Sequence, residues 1–160
     1  MKKLRIVFLF LIIGCQSPTR FTKEALNEKF VSIAQQDVTF QNILLKHQEN
    51  KILIDIWASW CRDCIVTLPK LKKLQQKNPT VHFVFLSLDK SKERWIRALD
   101  RLKIKGDHYY IAKGKKGAFG NFLGLWWIPR YVVVDEFGEI TLFKATKITD
   151  KNILKALKIK

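Results

Sequence analysis

An α/β domain, with a central mixed sheet flanked by helices, is the fold class this sequence predicts. Three observations carry it. Apolar, strand-like runs alternate with stretches of helical period, a strand pair and a helix close the chain, and 160 residues at 48% hydrophobic content suffice for one core.

The elements follow in order. Leu26, Phe30, Ile33 and Ala34 recur at helical spacing and predict a helix over 23–36, with a second short helix over 41–48, so the domain opens on an N-terminal helical extension. The run 52–58 is a strand, and the helix after Cys61 carries Ile65, Leu68, Leu71 and Leu74 on one stripe until Asn78-Pro79 ends it. β-branched and aromatic residues over 81–88 are the pattern of a strand covered on both faces. A helix over 91–102, a short strand over 108–111 and a glycine-broken helix over 118–125 come next. Strands over 130–135 and 139–143 flank a turn at Glu136-Phe137-Gly138, and Thr149 is placed to cap a last helix bearing Ile153, Leu154 and Leu157.

The chemistry sits at one handover from strand to helix, Trp60-Cys61-Arg62-Asp63-Cys64. A cysteine at a helix N-terminus meets unpaired backbone N–H groups and the positive end of the macrodipole, which favour thiolate over thiol. A second cysteine three residues on lies on the same face and can resolve a mixed disulfide formed by the first. The expected activity is thiol–disulfide exchange. Arg62 favours a nearby thiolate and Asp63 opposes it, so both tune the redox poise.

The N-terminus is expected to be a separate leader. Lys2, Lys3 and Arg5 precede eight apolar residues, Ile6 to Ile13, which is the layout of a secretory signal and too short for a comfortable membrane span. Ile12-Ile13-Gly14-Cys15 resembles the lipobox of bacterial lipoproteins, which implies cleavage before Cys15 and its acylation; an ordinary signal with a stray cysteine is the alternative. The organisation expected is a signal over 1–14, a lipid-anchored tether over 15–22 and a domain over 23–160, facing the periplasm or the cell exterior. The formal charge of +16 falls to about +13 without the leader. Scattered lysines without interleaved aromatics argue against nucleic acid and for solvated basic faces near anionic lipid or an acidic partner.

Ile52 to Trp60 leading into Cys61-Arg62-Asp63-Cys64, Pro69 in the following helix and Trp127-Ile128-Pro129 before a strand pair together resemble the thioredoxin superfamily, and within it the membrane-anchored TlpA/ResA type. The resemblance implies a thioredoxin fold over roughly 39–158 with a central insertion between Asp89 and Pro129. It implies that Ile128-Pro129 is a cis ledge for a substrate strand, that Trp60 shapes the site, and that Asp55 is a buried acid serving proton transfer to and from Cys64. The chain departs from thioredoxins in Arg62-Asp63 between the cysteines and in Phe85 where a lysine often lies near the acid. Implied partners are protein thiols and disulfides of the cell envelope, an unidentified redox partner, and the membrane through Cys15. No cofactor is expected beyond the Cys61–Cys64 dithiol.

Rival readings have weaker support. A peroxidase of the same fold would need proline and threonine where Ile54 and Ala58 stand, and zinc would need more than two thiols and the scattered His47, His82 and His108. A non-catalytic binding module is the alternative from another class. A disulfide closing so short a loop makes a poor staple, which counts against it.

Overall fold

The structure, a computed structural model, describes residues 17–157; Cys15 and the leader lie outside them. Seven strands form one sheet in the order β2-β1-β5-β4-β3-β6-β7. At its centre stand β3 (Ile52–Trp57), β4 (His82–Ser87) and β6 (Arg130–Val134). Nearly every residue of the three is buried, as expected where helices cover both faces. β3 pairs in parallel with β4 and antiparallel with β6, and β4 pairs in parallel with β5 (Asp107–Tyr110).

The two parallel connections run through α3 (Arg62–Lys77) and α4 (Lys92–Leu102). They step across the sheet in the same direction, so right-handed crossovers put both helices on one face. Lys72 of α3 accordingly donates to the Leu102 carbonyl of α4 at 3.3 Å. Pro69 sits inside α3, where it removes the N–H that would bond Ile65.

The N-terminal region corrects the sequence reading. Helix α1 spans only Lys23–Leu26, and the rest of the expected helix is a hairpin, β1 (Lys29–Ser32) and β2 (Asp37–Thr39), followed by α2 (Phe40–Leu45). The helical spacing of Leu26, Phe30 and Ile33 is overridden because β1 finds an edge to pair with: Val31 and Ser32 lie antiparallel to Tyr110 and Tyr109 of β5. Ile33 falls in the turn and is exposed. The tether is shorter than expected as well. The Thr19 carbonyl accepts from Ile140 N–H at 2.7 Å, and Phe21 packs edge-on against Phe40.

Strand alternation separates the two faces. Val31 and Tyr110 share one face, where Tyr110 stacks on Trp95 of α4, so Phe30 points to the other. There it meets Phe40, Phe21 and Phe119 of α5 (Ala118–Leu123) in an aromatic cluster. The expected insertion is thus α4, β5, a 3-10 turn over Gly114–Lys116, and α5. The hairpin of β6 and β7 (Ile140–Ala145) and helix α6 (Lys151–Leu157) complete the domain. Asp150, not Thr149, caps α6: its carboxylate accepts from Asn152 N–H at 2.8 Å, one residue nearer the helix than the sequence suggested.

Candidate active site

Cys61 is the N-cap of α3, with its Sγ 3.2 Å from the Cys64 N–H. The helix thereby presents its positive end to that sulfur. Cys61 and Cys64 are joined as a disulfide. They are 6% and 4% exposed, and only Cys61 lines the adjoining cleft, a hollow of about 270 Å³. Across the cleft the Ile128–Pro129 bond is cis and the Ile128 carbonyl oxygen lies 3.7 Å from Cys61 Sγ. Trp60, Trp126 and Trp127 rim it at 51%, 88% and 59% exposure, with Arg62, Asp63 and Lys115 between them.

Below the dithiol, Asp55 is buried in β3, in register with Tyr131 of β6 on one side and Phe85 of β4 on the other. Residues in register share a face. The Tyr131 phenol is pushed up by burial and then by the charge of Asp55, while contact with Thr67 of α3 opposes this, so the row points under α3. Burial alone raises the Asp55 carboxyl from 3.8 to about 8, and its Oδ1 has no hydrogen-bond partner among the described residues. No lysine relieves it at the neighbouring register position, because Phe85 is there.

Three contributions were not read from the sequence. Asp89, buried after β4, accepts from Ser59 N–H at 3.1 Å, from Ser59 Oγ at 2.6 Å and from Ser87 Oγ at 2.8 Å, which holds the turn leading into Trp60-Cys61. Its position at the C-terminal end of a parallel strand, beside the motif loop, was a usable signal. Buried Glu28 accepts from Phe119 N–H at 2.8 Å and caps the N-terminus of α5, whose own N-cap Gly117 has no side chain to offer. A Cβ on Gly117 would collide with that carboxylate. At the other end, Arg130 Nη1 donates to the Leu123 carbonyl at 2.9 Å, and Gly124 leaves the helix at φ 55, a left-handed conformation suited to glycine. An anion at the N-terminus and a cation at the C-terminus both complement the helix dipole. From α5 the chain runs directly to Trp126, Trp127 and Pro129.

The histidines stand elsewhere. The His47 and His82 rings lie with centroids 4.5 Å apart and planes tilted by 30°, with Asp107 Oδ2 2.6 Å from His47, at the opposite end of the strands from the dithiol. Burial lowers the His47 pKa despite that carboxylate. Among the described residues no cluster of potential ligands is arranged to hold a metal.

Comparison with known proteins agrees with this geometry. The thiol:disulfide interchange protein DsbE of Haemophilus influenzae is 30% identical over 124 residues, 77% of this chain and 65% of that protein. The DsbE protein of Pasteurella multocida is 30% identical over 141 residues, 88% of this chain and 70% of its own length. The chain thus spans about two thirds of these relatives. A candidate thiol-disulfide oxidoreductase from Bacteroides vulgatus superposes with a TM-score of 0.67 at 29% identity, over 81% of this chain and 83% of that one. A family model described as thioredoxin-like matches residues 49–140, from the lead into β3 through the dithiol and cis-proline to the start of β7, and the chain belongs to that thioredoxin-like family.

Proposed function

We propose that this chain is an exported thiol–disulfide oxidoreductase acting on protein substrates, working in the reducing direction. One observation carries the reading: Cys61 lines an open cleft beside a cis-proline while Cys64, bonded to it, lies behind. The relatives named as thiol:disulfide interchange proteins support it.

In the reduced protein the Cys61 thiolate attacks a partner's disulfide. The partner's S–S bond breaks, one partner sulfur leaves as thiolate, and a Cys61–partner bond forms. Cys64 gives its proton to the ionised fraction of Asp55 and attacks Cys61 Sγ; the Cys61–partner bond breaks, the second partner sulfur leaves as thiolate, and the Cys61–Cys64 bond closes. Two electrons pass to the partner, and a separate redox partner restores the dithiol. The Ile128 backbone and Pro129 hold the incoming strand, Trp60 shields the sulfurs, and Arg62 and Asp63 set the poise. The domain is delivered to the envelope by residues 1–14 and held there by lipid on Cys15.

Insulin reduction, followed by turbidity in the presence of dithiothreitol, tests the activity. Turnover by the wild type that falls to the uncatalysed rate in Cys61→Ser is the expected result. Wild-type protein that adds nothing to the uncatalysed rate would leave a docking module instead.

A further inference from the structure

Sulfur exchange as proposed uses two thiols, a base, backbone to hold the partner and Trp60 to shield the sulfurs, and none of these calls for Trp126 and Trp127. Yet Trp60, Trp126 and Trp127 all stand largely in water around Cys61. Exposed apolar clusters of this kind mark contact surfaces, since covering an indole removes a large apolar area from water. The main chain that carries the outermost indole is held in place: the Trp126 backbone N–H donates to the Gly124 carbonyl at 2.8 Å, and Lys115 Nζ donates to the Trp126 carbonyl at 3.5 Å.

The charge around these indoles is one-sided. The segment 108–134 contributes Lys115, Trp126, Trp127 and Ile128 to the far wall of the cleft and contains no aspartate or glutamate; Lys113 and Lys116, near Lys115 in the chain, are exposed. On the dithiol wall Arg62 and Asp63 offset one another. A cleft with indoles on its rim, Lys115 on one wall and two more exposed lysines beside it in the chain complements a strand carrying an apolar residue and carboxylates.

We propose that this cleft selects extended, acidic protein segments, in which the exchanging cysteine is flanked by an aromatic or aliphatic residue that lies on Trp126 and Trp127 and by aspartate or glutamate that faces Lys113, Lys115 and Lys116. The proposal rests on the oxidoreductase reading and adds its substrate class. The net positive charge of the whole chain steers the same partners towards the cleft.

The test uses the reduced full-length chain in mild detergent and peptides of equal length, each with one cysteine disulfide-bonded to 5-thio-2-nitrobenzoate. Flanks are Glu and Phe, Ser and Phe, Lys and Phe, or Glu and Ser. Release of the yellow thiolate reports the second-order rate. The Glu and Phe peptide is expected to react at least about tenfold faster than the Lys and Phe peptide at low salt, with the ratio falling towards one in 0.5 M salt. Lys115→Glu should shrink that ratio, and reversing all three lysines should invert it. Trp126→Ala should narrow the advantage of the Glu and Phe peptide over the Glu and Ser peptide by about fivefold. Ratios between peptides are immune to a general loss of folded protein. Equal rates for all peptides, or a ratio that salt does not move, would overturn the proposal. Hydroxyethyl disulfide separates the two levels: if the wild type reduces it and reacts with every peptide alike, only acidic selection falls, whereas inertness towards it and every peptide removes the oxidoreductase reading as well.

Discussion

At the scale of single residues, the dithiol and the acid beneath it set the behaviour of the site. Asp55 binds its proton up to about pH 8 in the folded chain, against 3.8 when unfolded. Between those values the folded state holds more protons than the unfolded state, so stability falls as pH rises through the window, by up to about 1.4 kcal/mol per pH unit. Denaturant unfolding of the oxidised protein, in which the cysteines do not titrate, should show this decline, and Asp55→Asn should flatten it. In the proposed mechanism the same substitution slows resolution of the mixed disulfide about a hundredfold, measurable by single-turnover quench. A Cys61-X-X-Cys64 pair after an apolar strand, an Ile-Pro before another strand and an aspartate inside an apolar run are all local patterns, so these residues were legible. Asp89 acts on Ser59, 30 positions away, and Glu28 on Phe119, 91 positions away. The place of Asp89 at the end of a strand was a signal for its role, whereas the contact of Glu28 leaves no local pattern to read.

Among the elements, α5 carries the wall of the cleft, and six residues are too few to make a helix stable alone. It is secured by Glu28 and Arg130 at its ends and by Phe119 packed against Phe21, Phe30 and Phe40. Phe119→Ala should cost about 3–5 kcal/mol in chemical denaturation. Glu28→Ala removes the cap at a cost of about 1–2 kcal/mol. Gly117→Ala should destabilise the wild type through collision with Glu28, and much less so in the Glu28→Ala background. That double-mutant cycle reports the contact directly, and additive costs would contradict it. The strands and α3 were readable because their patterns agree with their burial. The hairpin β1–β2 was not, because its formation depends on pairing with β5, some 80 residues later in the chain, which no helical or strand period in 23–36 records.

For the whole molecule, the sheet places the C-terminal end of β3 and the cis-proline before β6 side by side, so the site is a product of strand order as much as of the motif. Fold class was legible from element order, and the central insertion from the resemblance to the TlpA/ResA type. Trp60 on the rim of the cleft was legible from the motif; the exposure of Trp126 and the approach of Lys115 were not, since they follow from how α5 docks. In the proposed envelope location the lipid on Cys15 is the anchor; among the described residues no helix is long and apolar enough to cross a membrane. Cys15→Ser should abolish incorporation of labelled palmitate into the chain in bacterial cells expressing it, read by fluorography after immunoprecipitation. Labelling equal to that of the wild type would contradict lipid anchoring at Cys15. The most direct measurement for exchange at Cys61 is a trap with insulin on the Cys64→Ser variant, digested with trypsin, which cuts after Arg62 and separates positions 61 and 64. Exchange at Cys61 yields a reductant-sensitive adduct on the peptide 52–62 and none with Cys61→Ser; a Cys64→Ser chain that forms no adduct, or a Cys61→Ser chain that forms as much, would contradict it.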